Sequence, residues 1–363
     1  MARILNVITA VSRMGGTNTK LRALMKGSKH KHYLYHPGYT SNKEIIEKEI
    51  PFFDTIGVKA YYGIFNRNIF AHAYRIHRII NENDIEIVHF YFNFEHLLLP
   101  LLKLWNPKVV FVRSIVGYDK PLVWWRQKLM NFIVGKTDNF VFISHYIKDL
   151  YETIYPSLKQ KHTKVIYNGA VNIKEPLVTL NDKWKIVNVS VLEPRKNLDV
   201  LIEAMNIIRK RYQRPDVELF VVGDGTERKK LEKLIGDFNL DKQVHLVGYS
   251  SEVADYLDEC SIYVHPATTE GFGIAVVEAM QMGCACVVAD KGALPELVKD
   301  GVNGYTVDAY DAGTWAEKIV YLLEHNEERI KMGNVSKERA LKDFSLEAFI
   351  NNHDDYYDEI LNH

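Results

Sequence analysis

Cysteine is scarce in this chain: three residues in 363, two of them at Cys284 and Cys286 within one apolar run. So few thiols exclude a disulfide framework and point to a reducing compartment, the cytoplasm. Long apolar runs are missing too. No window approaches the roughly 20 residues of a membrane-spanning helix. The apolar stretch after Met1 is too short for a secretory signal core and reads instead as a buried first strand. No set of His, Cys and Asp has zinc-site spacing, and no low-complexity tract is present. Net charge is also absent, with 46 basic residues against 46 acidic ones.

That zero hides an asymmetry. Met1–Asn172 carries 24 Lys and Arg against 12 Asp and Glu, and Ile173–His363 carries 22 against 34. Halves of opposite sign are a cue for an anionic partner on one side. Aromatics lie among the cations of the basic half, at Tyr61, Phe65, Tyr74, Arg75 and Arg78, and again at Trp124, Trp125, Arg126 and Lys128. No nucleic-acid signature accompanies them, so no nucleic-acid partner is expected. Basic-aromatic stretches suit an anionic membrane surface. The plainer alternative is that the aromatics are core and the cations a solvated face.

A chain of 363 residues exceeds what one hydrophobic core serves. Short apolar runs alternate with segments of helical period, the pattern of parallel α/β architecture. The first series of strands is expected at Ile4–Thr9, Ile85–Phe90, Val109–Val112, Asn139–Ile143 and Lys164–Tyr167. A second comprises Lys185–Val191, Glu218–Val222, Val244–Leu246, Ile262–Val264 and Ala285–Ala289. The fold class is therefore two Rossmann-like, doubly wound α/β domains, residues 1–172 and 173–345. A last amphipathic helix, 346–363, is expected to cross back to the first domain. Open α/β sheets bind ligands at the carboxyl ends of their strands.

The most informative block is His265-Pro-Ala-Thr-Thr-Glu270-Gly-Phe272-Gly273-Ile274-Ala-Val-Val-Glu278-Ala-Met280. It follows a strand and opens a helix, so Glu270 falls in the loop and Glu278 about two turns into the helix. Glycines beside Phe272 permit close backbone approach, and the free N–H groups of the helix start attract an anion. Two carboxylates flanking an anion site suit a ligand whose hydroxyls flank a diphosphate; a capped Gly-rich turn is the bland alternative. A second block, Val189-Ser-Val191-Leu-Glu-Pro-Arg195-Lys196-Asn, puts two cations at a strand end, where fixed positive charge stabilises a departing phosphate. Their alternative is a solvated loop pair. Gly223-Asp-Gly225 and Gly248-Tyr249 end two further strands without a full dinucleotide fingerprint. Gly15-Gly16-Thr17 follows the first strand, with Thr17 able to cap a helix. Arg113 and Val116 lie at the end of another strand, and His89, His96 and His145 read as structural.

The Glu270–Glu278 block, together with Cys284–Gly304 after it, resembles the Glu-x7-Glu region of the family 4 retaining glycosyltransferases, which have the GT-B fold. The likeness is specific over about Lys185–Val307 and diffuse before it. It implies two domains facing a cleft, with the acceptor held by the first and the nucleotide sugar by the second. By this resemblance Glu270 meets donor-sugar hydroxyls, the backbone of Phe272, Gly273 and Ile274 holds the diphosphate or sugar, and Glu278 binds the ribose. Lys196 matches the family's phosphate-binding lysine. The arginine usual five residues earlier is Val191 here, and Arg195 is a candidate replacement. Gly223, Gly225, Gly248 and Tyr249 would border the base. Gly15, Gly16, Thr17 and Arg113 would line the acceptor side. A histidine usual before Gly117 is Val116, which suggests an unusual donor, such as a sugar without a 6-hydroxyl.

No Asp-x-Asp is present to hold a diphosphate through a metal, so no cofactor and no metal are expected beyond the nucleotide-sugar substrate, for which a UDP-sugar is favoured. The acceptor would be a glycan or lipid-linked hydroxyl in cell-surface polysaccharide, lipopolysaccharide or glycolipid assembly, with the enzyme peripheral on the inner membrane face. Two alternatives stand beside this reading: a nucleotide-sugar 2-epimerase of the same fold, and a catalytically silent sugar-nucleotide-binding subunit.

Overall fold

A computed structural model describes residues 1–8, 16–37, 53–63, 68–91, 98–117, 124–170 and 184–362. The chain divides into two compact units, Met1–Gly169 with Leu346–His363, and Ala170–Ser345.

The first unit is built on seven parallel strands: β1 (Arg3–Val7), β2 (Lys31–His36), β3 (Lys59–Tyr62), β4 (Ile87–Phe90), β5 (Val110–Ile115), β6 (Asn139–Phe142) and β7 (His162–Val165). Their spatial order is β3-β2-β1-β4-β5-β6-β7, so the direction of winding reverses between β1 and β4. The second unit has six: β8 (Trp184–Val189), β9 (Val217–Val222), β10 (Val244–Gly248), β11 (Ile262–His265), β12 (Ala285–Ala289) and β13 (Gly304–Val307). Their order, β10-β9-β8-β11-β12-β13, reverses between β8 and β11. Strands covered on both faces need near-continuous apolar sequence. The Ala-Cys-Val-Val-Ala of β12, buried at every position, is the clearest instance.

Three strands escape the sequence pattern. β2 reads Lys-His-Tyr-Leu-Tyr-His, yet all but its first residue are buried, because the strand lies inside the sheet with both faces covered. β3 and β13 have four residues each, too short for a periodic signal. Helices Leu99–Trp105, His145–Ile154 and Asn326–Asp343 also escape the sequence pattern, and β7 begins at His162 rather than Lys164.

The helix Leu346–Leu361 belongs to the first unit although its sequence follows the second. Phe349, Tyr356, Tyr357 and Ile360 join a core with Ile4, Leu21, Leu24 and Leu34. The helix Gly16–Gly27 packs beside it, and a Cβ at Gly27 would lie 2.8 Å from Ile350. Asp354 accepts hydrogen bonds from Ser28 and from the Lys29 amide (2.9 Å), and Glu359 pairs with His162 (2.9 Å) and Lys164 (3.0 Å).

Polar groups lie beneath this helix. His89 is fully buried and stacked on Tyr91 with ring centroids 4.2 Å apart. Its Nδ1 lies 2.7 Å from the Tyr357 hydroxyl, and its Nε2 lies 2.8 Å from Ser114 Oγ. Asn6 bridges the Tyr91 hydroxyl and His32. Burial holds His89 well below the ordinary imidazole range, His32 at about 3 and His353 at about 4, so all three rings are neutral.

Undocking the helix would return these rings toward a pKa near 6.5, where they take up protons that the docked state refuses. Docking is therefore most stable above about pH 6.5 and weakens as pH falls toward 4, by about 1.4 kcal/mol per pH unit for each histidine. Hydrogen exchange of the Leu346–Leu361 amides, corrected for intrinsic rates, should show this loss, and His353→Leu should reduce the slope by one proton. Protection unchanged from pH 7 to 4.5 would refute the account.

Candidate functional site

The loops that follow β8 and β11 leave the second sheet on either side of its reversal point, where open α/β sheets form crevices. Buried Asn188 ties the two strands there, donating to the Val264 carbonyl at 2.8 Å and accepting from Ser190 Oγ at 2.8 Å. The loops are then joined to each other. Thr268 donates to the Arg195 carbonyl through its amide (3.0 Å) and its hydroxyl (3.2 Å). Asn197, left-handed at φ 53°, donates to the Ala309 carbonyl at 2.6 Å.

This framework brings Lys196 and Glu270 together. Lys196 is buried, 7% exposed, and its Nζ donates to Glu270 Oε2. His265 Nε2 stands 3.3 Å from the same oxygen, and the Tyr263 hydroxyl lies 3.3 Å from His265 Nδ1. Burial lowers the pKa of His265 and keeps the ring neutral. The hydrogen-bonding pattern then makes Nε2–H the donor to Glu270 and Nδ1 the acceptor from Tyr263. Burial also works to raise the pKa of Glu270. The His265 hydrogen bond and the Lys196 charge outweigh it, holding the carboxyl well below its usual range. Both contacts fall on Oε2. Among the described residues Oε1 has no hydrogen-bond partner, so an ionised acceptor remains available.

The Glu270 backbone is fixed from beneath by its carbonyl, which accepts from the Ala293 amide at 2.9 Å. Gly292 makes this possible: its φ is +62°, and a Cβ there would lie 2.5 Å from the Glu270 oxygen. In the sequence, Gly292, Tyr263 and His265 lie inside longer runs with nothing local to mark a role. The spacing of Gly292 against a loop more than twenty residues earlier carries no local signal; the His265–Glu270 separation of five was the only available hint.

Past Glu270, Phe272 is buried edge-to-face on Phe344 at 5.8 Å. Gly273 opens the helix Ile274–Gln281, whose start has no side-chain cap, so its N–H groups and dipole favour an anion. Glu278 projects from this helix without a hydrogen bond among the described residues, and burial pushes its carboxyl up to about 7.

The other candidates are placed differently. Arg195 turns to Glu193 (2.7 Å) and remains half exposed, so it does not share the carboxylate that engages Lys196. Val191 is 50% exposed. Gly223 donates to the Gly248 carbonyl at 2.8 Å, and any Cβ on Gly223 would meet the Ser190 oxygen at 2.0 Å. Gly225 approaches the Leu192 carbonyl in the same way, so this turn supports the loop that carries Lys196. Tyr249 is 73% exposed.

In the first unit Gly16 begins a helix, while Gly15 and the Thr17 side chain lie outside the described residues, as does His96. Arg113 is enclosed within β5, His145 is exposed at a helix start, and Val116 lines a cavity with Lys20 and His353. No group of three or more His, Cys, Asp and Glu able to hold a metal occurs among the described residues.

Known proteins resemble this chain in sequence and architecture. The family description Glycosyltransferase Family 4 matches residues 19–171, and Glycosyl transferases group 1 matches residues 172–339. An uncharacterised glycosyltransferase of Methanocaldococcus jannaschii is 29% identical, over 96% of this chain and 95% of its own. A Rickettsia africae glycosyltransferase crystal structure superposes with a TM-score of 0.82 at 19% identity, covering 99% of this chain and 98% of that one. An Anabaena protein crystallised with UDP and glucose superposes at 0.74 and 17% identity, covering 99% and 100%. With two matched regions that together run from residue 19 to 339 and a GT-B fold of two Rossmann-like units, the chain belongs to the family 4, group 1 glycosyltransferases.

Proposed function

We propose that this protein transfers a sugar from a UDP-sugar to an acceptor hydroxyl with retention of anomeric configuration and without a metal, in the assembly of a cell-surface polysaccharide, lipopolysaccharide or glycolipid. The observation that carries this reading is the buried Lys196–Glu270 pair beside the uncapped start of helix Ile274–Gln281. Lys196 has three donors and spends one on Glu270, leaving two for the β-phosphate. With the helix N–H groups it stabilises the diphosphate as the glycosidic bond breaks. Glu270 keeps Lys196 oriented and offers Oε1 to the sugar hydroxyls. The departing phosphate oxygen takes the acceptor proton, so no strong protein base is required. Arg195 adds a second, more distant cation only after leaving Glu193. Glu278 binds the two ribose hydroxyls as a carboxylate. The UDP complex of the Anabaena structure supports the choice of base.

The first unit takes the acceptor, and its surface supports a peripheral position on an anionic membrane. Phe70 and Tyr74 are 62% and 58% exposed on a helix that also carries Arg75 and Arg78, and Phe132 is 55% exposed. Among the described residues no helix is long and apolar enough to cross a bilayer.

Three experiments test these statements. Glu270→Ala and Lys196→Ala should each lower turnover about a hundredfold or more, the scale of one preorganised electrostatic contact. Near-normal turnover in either removes that residue from the mechanism, and an epimerised sugar formed from UDP-sugar alone would make the protein an isomerase. UDP-glucose affinity should hold steady above about pH 7 and fall ~10-fold per pH unit below it, as Glu278 protonates. Glu278→Gln should flatten that profile; a flat wild-type profile would overturn the ribose role. Vesicles containing anionic lipid should sediment the protein at low salt and release it at high salt, and absence of binding would reject the membrane reading.

A further inference from the structure

Strand β11 delivers two polar side chains to one place. Tyr263 and His265 are two residues apart, so the strand period puts them on the same face, and both are buried. Their rings are nearly parallel, with centroids 6.1 Å apart. A parallel strand covered on both faces ordinarily fills such positions with apolar residues, as Ile262 and Val264 do on the other face. A phenol and an imidazole buried there cost stability unless their polar atoms find partners.

The partners form a chain. At the end of β8 the Val189 amide donates to the Tyr263 hydroxyl at 3.4 Å, and that hydroxyl lies 3.3 Å from His265 Nδ1. His265 Nε2 lies 3.3 Å from Glu270 Oε2. Burial keeps the phenol protonated and the imidazole neutral, so the ring has a single N–H. An ionised carboxylate only accepts, which puts that N–H on Nε2 and leaves Nδ1 to accept from Tyr263. β8 leads into the loop that carries Lys196 and β11 into the loop that carries Glu270, so one hydroxyl ties the roots of both. Lys196 by itself does not choose between the Glu270 oxygens: an ammonium is a compact charge with three equivalent donors on a flexible stem. The His265 ring is planar and set by its strand, and it engages Oε2, the oxygen that Lys196 also meets.

We propose that His265 and Tyr263 are positioning residues for glycosyl transfer, holding the Glu270 carboxylate in the one orientation that presents Oε1 to the donor sugar. This rests on the reading that Glu270 meets the sugar hydroxyls, and it adds how one oxygen is selected for them. Without the Nε2–H donor, the carboxylate turns freely and brings both oxygens to Lys196. The sugar then loses its acceptor while the diphosphate keeps its cation.

The test uses the full chain, with turnover read as UDP release from UDP-glucose, calorimetry with UDP and with UDP-glucose, and thermal melting to confirm folding. His265→Leu removes the donor, His265→Gln returns an N–H at similar reach, and Tyr263→Phe removes only the hydroxyl. His265→Leu should lower turnover about 10- to 100-fold, the scale of one hydrogen bond to a charged group, and weaken UDP-glucose while UDP affinity stays within about twofold. His265→Gln should restore most of that turnover, and Tyr263→Phe should lower it about 3- to 10-fold. In 15N spectra the His265 ring, identified by its loss in His265→Gln, should be the Nε2–H tautomer at neutral pH. Equal losses in His265→Leu and His265→Gln, UDP and UDP-glucose affinities falling together, or the Nδ1–H tautomer would each overturn the positioning role. Full turnover in His265→Leu with loss in Glu270→Ala also overturns it and leaves Glu270 as the sugar's partner; full turnover in Glu270→Ala removes that underlying reading instead.

Discussion

Lys196 and Glu270 are 74 residues apart in sequence and meet in a site that excludes most water. A buried ion pair is stable only when each partner is held and its other valences are met. Much of the second unit's local detail follows from that requirement. Asn188 fixes the strand ends, Thr268 and Asn197 stitch the loops, and His265 supplies a neutral donor to the shared oxygen. Gly292 and Gly223 are small because backbone passes where a Cβ would stand. Removing one member of the pair leaves a buried charge, which is why catalytic and structural roles are difficult to separate at these two positions.

The two units apply one winding plan with different polar economies. In the second, charge at the reversal point is neutralised within the protein. In the first, neutral histidines and tyrosines form a hydrogen-bonded layer beneath the C-terminal helix. A site that already contains its carboxylate suits a ligand rich in hydroxyl groups and phosphate oxygens.

Sequence was most legible where function and periodicity coincide. The long apolar runs β8 to β12, the helix after Gly273 and the amphipathic Leu346–Leu361 carry their period in the residues themselves. Glu270 and Lys196 stood out because a carboxylate and a cation beside glycine turns are chemically specific. What was not legible depends on distant packing. His32 of β2 looks polar until a helix more than 300 residues later covers it, as its edge-to-face contact with Tyr357 at 6.1 Å shows. The pairing of Arg195 with Glu193 instead of with the buried carboxylate is likewise a matter of loop direction, which a list of charges does not encode.

The return of Leu346–Leu361 to the first unit has a consequence for how the molecule is made. Residues 170–345 form a continuous unit that has all its parts once they have left the ribosome. The first unit, although synthesised earlier, waits for the final helix to cover His89 and to pair Asp354 with Ser28. Domains ordinarily mature from the N-terminus during synthesis. Here the order of completion is inverted, and a nascent first domain with an open polar seam persists until residues 346–361 have been made.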